Sequence, residues 1–81
     1  MAVNALSAAK LLCEESNWQL TNLALQKILY IAHMVYMGRH DGARLVEQPF
    51  EAWDYGPVNP TLYQRAKMFG NKPVRNVFNS V

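Results

Sequence analysis

Residues 20–38 read LTNLALQKILYIAHMVYMG, and the fold turns on how this stretch is taken. It is long enough for a helix of about four turns, and it is apolar on almost every side. From Leu23 to Met37 the strongly polar side chains are Gln26, Lys27 and His33. At 100° per residue Gln26, Tyr30 and His33 fall within roughly 60° of one another, and Lys27 flanks that stripe. The remainder, Leu23, Leu25, Ile28, Leu29, Ile31, Ala32, Met34, Val35 and Tyr36, requires cover, because a helix apolar nearly all round is either buried or spans a membrane. A span needs about 20 apolar residues, and Gln26, Lys27, His33, Arg39 and His40 interrupt or bound this run, so the sequence predicts no membrane segment. Thr21 and Asn22 are placed to cap the first turn, and Gly38 is expected to end the helix in a left-handed conformation.

Outward from this central helix, residues 4–16 predict a first helix. Ala5, Leu6, Ala8, Ala9, Leu12 and Cys13 cover one arc, with Asn4 or Ser7 as the cap. Asn17, Trp18 and Gln19 make a short connection, with Trp18 folded over the core. After Gly38, the polar turn around Asp41-Gly42 leads into LVEQPFEAW, expected to be irregular or a short strand at about 43–53 because Pro49 confines any strand to an edge. In DYGPVNP, Gly56-Pro57 and Asn59-Pro60 make a rigid turn. A third helix follows at about 60–69, with Asn59 at the cap, Pro60 at the first position and Gly70 just past the end. The tail carries Val74, Val77, Phe78 and Val81 at helical spacing, a candidate fourth element. The expected fold is a mainly α, single domain over 1–81, of three to four helices around a buried central helix.

The 81 residues support one domain and a thin core, with a net stability of about 3–5 kcal/mol for a body of this size. Cys13 stands alone, so no internal disulfide forms, and a lone thiol without an export signal suits the cytoplasm. With 51% of residues hydrophobic and 17% charged, disorder is excluded and polar surface is scarce. An exposed apolar patch is therefore expected, and with it a partner or self-association. Residues 61–81 hold Arg65, Lys67, Lys72 and Arg75 with no acid, whereas the first 60 residues hold four basic and six acidic side chains.

No recognised catalytic arrangement emerges. Cys13 lies on the apolar side of its helix as a structural thiol, and His33, His40 and Asp41 lack a metal-ligand spacing. Glu47, Glu51 and Asp54 have no inferable basic partner, and no glycine-rich phosphate loop is present. No cofactor or metal is expected, and the sequence argues against an enzyme. The stripe Gln26–Tyr30–His33 must either be satisfied internally or face a partner, since polar groups on a core helix need hydrogen-bond partners.

LTNLALQKILYIAHMVYMG at 20–38 and FEAWDYGPVNPTLYQRAKMFG at 50–70 resemble the two signatures of the Panacea domain, a phage-associated family found as the antitoxin partner of many unrelated toxins. Its members include a proteolytic adapter that delivers its toxin to a protease. The resemblance covers roughly residues 5–70. It maps onto Leu25, Gln26, Lys27, Leu29 and Tyr30 in the first motif and onto Glu51, Ala52, Trp53, Gly56, Pro57, Val58 and Pro60 in the second. Gly56, Pro57 and Pro60 set backbone shape. Gln26, Lys27, Glu51 and Trp53 are expected to serve recognition or a hydrogen-bond network that fixes the motif. Family domains continue past the Tyr/Phe-Gly that closes the third helix, while here eleven residues follow Gly70. That implies a fragment, or a short relative that dimerises or caps itself with its tail.

What the resemblance implies is a non-catalytic interaction module that inhibits a toxin, or a host defence protein, by direct binding. Gln26, Lys27, Tyr30, His33, Glu51, Trp53 and Tyr55 are the expected contact residues, with aromatic anchors because aromatics dominate hot spots. The alternative is a small nucleic-acid-binding protein using Arg65, Lys67, Lys72 and Arg75, enough cations for only a few phosphate contacts and no known recognition motif. A homodimer, or a chain always held by its partner, is expected to use the tail and one edge of the central helix.

Overall fold

The computed structural model describes residues 2–54 and 56–78. Helix α1 spans Ala5–Glu15, α2 Asn22–Arg39 and α3 Pro60–Ala66, which continues as a 3-10 turn over Lys67–Phe69. Between α2 and α3 the chain forms an antiparallel hairpin of β1 (Glu51–Trp53) and β2 (Gly56–Val58), with Ala52 opposite Pro57. The mainly α architecture matches the sequence reading. The strand pair, however, includes the Gly-Pro segment expected to be only a turn. Pro57 is tolerated there because a sheet of two strands has only edges.

Each helix starts on a side-chain cap. The Asn4 side chain accepts from the Leu6 N–H at 2.8 Å, Thr21 Oγ1 from Ala24 at 3.2 Å, and Asn59 Oδ1 from Leu62 at 3.2 Å. Their ends differ from expectation at one position. Gly38 does not terminate α2. The helix runs on to Arg39, and the left-handed residues are Asp41 (φ 54°) and Gly42 (φ 84°). The Gly42 N–H reaches back to the Met37 carbonyl at 2.8 Å, so the turn two residues on satisfies the exposed carbonyl that Gly38 was expected to cap. At the end of α1 the left-handed pair is Asn17 and Trp18, with φ of 57° and 58°. Such a φ is strained for a bulky side chain. Here the Trp18 N–H bonds the Cys13 carbonyl at 2.8 Å, and its ring stacks on Phe78 at 6.5 Å, as the folded-over position predicts.

The core joins Ala5, Leu6, Ala9 and Cys13 of α1, Leu25 and Leu29 of α2, Leu62 and Ala66 of α3, and Val46, Val74 and Phe78 from the connecting chain. The small side chains of α1 let it lie close to α2. The tail does not form a fourth helix over the described residues. It runs as irregular chain, pairs Val74 N–H with the Leu20 carbonyl at 2.7 Å, and buries Val74 and Phe78 completely. The Arg65 guanidinium fastens it by donating to the Val77 carbonyl at 2.9 Å. The tail therefore closes the core of its own chain. Its Val74 and Phe78 are not free for a dimer interface, and Val81 lies outside the described residues.

The central helix is buried on one side only. Asn22, Leu25, Gln26 and Leu29 are enclosed, whereas Leu23 (55%), Ile28 (38%), Ile31 (55%), Met34 (47%) and Val35 (48%) remain exposed. Full burial, as the near-uniform apolarity of the stretch suggested, does not occur. α1, α3 and the tail cover one flank, and no described element crosses the other.

Candidate functional site

The two motifs meet at Gln26. Its Oε1 accepts from the Asn59 backbone N–H at 2.8 Å, and its Nε2 donates to the Asn59 carbonyl at 3.2 Å and lies 3.4 Å from Asn22 Oδ1. The side chain is 2% exposed. Asn59 extends the network: its Nδ2 donates to the Gln48 carbonyl at 2.9 Å, and Gln48 Oε1 accepts from the Ala5 N–H at 2.7 Å. One amide on α2 thus pins the backbone between β2 and α3 in the manner of a strand neighbour, and the chain of bonds ends at the start of α1. Of the two alternatives for the polar stripe, Gln26 takes the internal one. Its burial and hydrogen bonds keep it from presenting its amide to a partner.

Beside this latch lies a cleft of about 300 Å³ formed by Leu23, Ala24, Gln26, Lys27 and Tyr30 of α2 with Pro57 and Val58 of β2. It draws lining from both motifs. Lys27 is exposed at its rim and Tyr30 half-buried. Tyr30 packs edge-on against Phe50 at 5.3 Å, and His33 leans on the same ring at 5.3 Å. These aromatics lead into a second cleft of about 290 Å³, reached by Met34, Met37 and Arg44. Nδ1 of His33 is buried without a hydrogen-bond partner among the described residues. Burial, and secondarily the Arg44 charge, lowers the pKa of His33 below its ordinary 6.5.

Glu51 and Trp53 stand apart, on the hairpin. The Trp53 indole N–H donates to Glu51 Oε1 at 2.9 Å, and the ring meets Tyr63 of α3 edge-on at 4.9 Å. Both are held in place by neighbours while Glu51 stays exposed. Tyr55 lies outside the described residues. Gly56, at φ 110°, adopts a backbone conformation that side chains rarely take, so its place in the hairpin requires glycine. Of the cations weighed for nucleic acid, Arg65 is engaged with Val77, while Lys67, Lys72 and Arg75 are exposed. The Cys13 thiol is buried, and burial pushes its pKa up to about 11, with Glu14 adding to the shift. A neutral, enclosed thiol is a packing residue. No group of three or more metal-binding side chains occurs among the described residues. No described helix is long and apolar enough to cross a membrane.

Sequence reasoning missed two things here. Asn59, expected to stiffen the turn and cap α3, also holds the latch through its backbone and side chain. The outward apolar side chains of α2 were assigned to the core. A signal for the second was present: Lys27 and Arg39 fall within the same arc as Leu23, Ile31 and Ile28, and cations mark a solvent face.

The Gln26–Asn59 latch ties together the two stretches whose residues carry the resemblance noted above. The chain belongs to the family described as Antitoxin SocA-like, Panacea domain, whose model matches residues 25–80. It is similar to the protein named Antitoxin SocA of Caulobacter vibrioides (strain NA1000 / CB15N), with 38% identity over 78 residues, covering 93% of this chain. The chain spans 41% of the length of that relative. No solved structure matches it significantly.

Proposed function

We propose that the chain is a non-catalytic, cytoplasmic antitoxin module that inhibits a toxin by binding it directly. The observation that carries this reading is the outward face of α2, where Leu23, Ile28, Ile31, Met34 and Val35 stand exposed beside the cleft lined by both motifs. A small domain gains nothing in its own stability from leaving such a contiguous apolar face in water, and faces of this kind mark protein interfaces. The name of the relative, and the family itself, supply the class of partner. Lys27 and Tyr30 border that cleft, and the half-buried Trp53, held on the hairpin by Glu51 and Tyr63, offers a separate contact, since rings already held by neighbours bind at low entropic cost. His33 sits deeper and shapes the second cleft.

The test is co-expression with the products of the genes flanking this one, induced one at a time. A flanking product that arrests growth alone, is tolerated with this chain and co-purifies with it supports the reading. Rescue without a complex would overturn direct binding.

A further inference from the structure

The outward face of α2 has a definite chemistry. Placed at 100° per residue, Leu23, Met34, Lys27, Gly38, Ile31, Val35, Ile28 and Arg39 follow one another across roughly 160° of the helix, and all are exposed. Lys27 and Arg39 are its charges, about 18 Å apart along the axis, and α2 carries no carboxylate. Gly38 sits in the middle of that arc. It is helical, and a Cβ built on it would meet nothing within 4 Å. Glycine inside a helix weakens it relative to alanine, and no contact among the described residues requires the missing side chain. A flat spot on an exposed apolar helix face suits the close approach of another backbone. The face also continues into an apolar groove of about 410 Å³ lined by Ser7, Ala8 and Leu11 of α1, Leu29 and Ala32 of α2, and Leu45.

A second copy of this chain is a poor occupant. Packed antiparallel, α2 on α2 brings Lys27 toward the other copy's Arg39. Packed parallel, it brings each cation toward itself. No acid on α2 relieves either arrangement. We propose that the partner supplies an amphipathic helix whose apolar stripe is flanked by carboxylates about three turns apart, and that this helix lies along α2 with its backbone closest at Gly38. Its apolar side chains cover Ile31, Val35 and Ile28 and enter the groove beside α1, while its acids meet Lys27 and Arg39. This is helix-in-groove recognition, with the charges setting direction and register. The inference rests on the reading of the chain as a module that binds its target directly.

The probes are synthetic helices of 18 residues, the length of α2, with a leucine stripe flanked by glutamate, the same stripe flanked by lysine, and a scrambled stripe. Binding to the full chain is followed by fluorescence anisotropy. The glutamate-flanked helix is expected to bind roughly tenfold tighter than the lysine-flanked one, since attraction replaces repulsion at both exposed cations. The double variant Lys27→Glu, Arg39→Glu is expected to reverse that order. Ile31→Asp is expected to abolish binding with the circular dichroism unchanged. Gly38→Ala is expected to raise the melting temperature while weakening the peptide, a pairing that a purely structural glycine would not give. Equal binding of the two charged helices, or binding that survives Ile31→Asp, overturns the proposal. So does a wild-type dimer in sedimentation that Ile31→Asp disperses, because the face would then belong to a second copy. These probes contain no toxin, so their failure leaves the co-expression result intact, and failed rescue with successful peptide binding would fault the antitoxin reading alone.

Discussion

Gln26 ties α2 to the segment between β2 and α3 through hydrogen bonds that hold its amide inside the fold. Two hydrogen bonds to the Asn59 backbone, at 2.8 and 3.2 Å, set the distance between α2 and the hairpin and so the width of the cleft. Replacing Gln26 with leucine leaves the buried Asn59 N–H without an acceptor. The expected loss is about 1–3 kcal/mol in urea unfolding, a large part of the stability of so small a domain. His33 gives the chain a dependence on pH. Its folded pKa lies below 6.5, so the unfolded chain takes up the proton first, and the contribution of the neutral imidazole is lost as pH falls through the folded value. Thermal melts between about pH 7 and 5 are expected to decline more steeply for the wild type than for His33→Phe. Cys13, with its thiol pushed up to about 11 and enclosed, is expected to resist alkylation at neutral pH until denaturant is added.

Among the elements, α2 supplies both buried core and open surface. Its existence and start were legible because Thr21 caps it and apolar residues fill it, but its end was not. The signal at Gly38 was overridden by a bond from Gly42 to Met37 that spans five residues and depends on two left-handed positions. Its orientation was legible only in part. The buried side follows from Leu25 and Leu29, whereas the open side depends on what the other elements reach, and hydrophobicity alone does not reveal that. The first strand falls within the short-strand segment expected at about 43–53, but the second was hidden for a related reason: Pro57 argues against a strand, and only a sheet of two strands accepts it. Among the expected contact residues, the partnership of Gln26 with Asn59 is a pairing 33 residues apart, which one sequence cannot disclose. Because Gly56-Pro57 aims β2 at the cleft, Pro57→Ala is expected to weaken partner affinity more than it lowers stability, measured by titration calorimetry beside urea unfolding.

At the scale of the molecule, the tail and the open face divide the apolar surface between them. The tail spends its Val74 and Phe78 on the chain's own core, and Trp18 closes over Phe78. Phe78→Ala is expected to cost about 3–5 kcal/mol, enough to leave much of the chain unfolded at 25 °C by circular dichroism. With that flank sealed, five of the large exposed apolar side chains among the described residues lie on the outward side of α2, with Val3, Leu11 and Met68 elsewhere, and it is the α2 side that is proposed to bind the toxin. The most direct measurement is growth of cells producing the cognate toxin with either the wild-type chain or Ile31→Asp, the two held at equal soluble levels. Ile31 is 55% exposed and outside the core, so the variant is expected to fold. The wild type is expected to restore growth and Ile31→Asp is not. Equal rescue by both would place the inhibitory contact elsewhere and contradict the proposal.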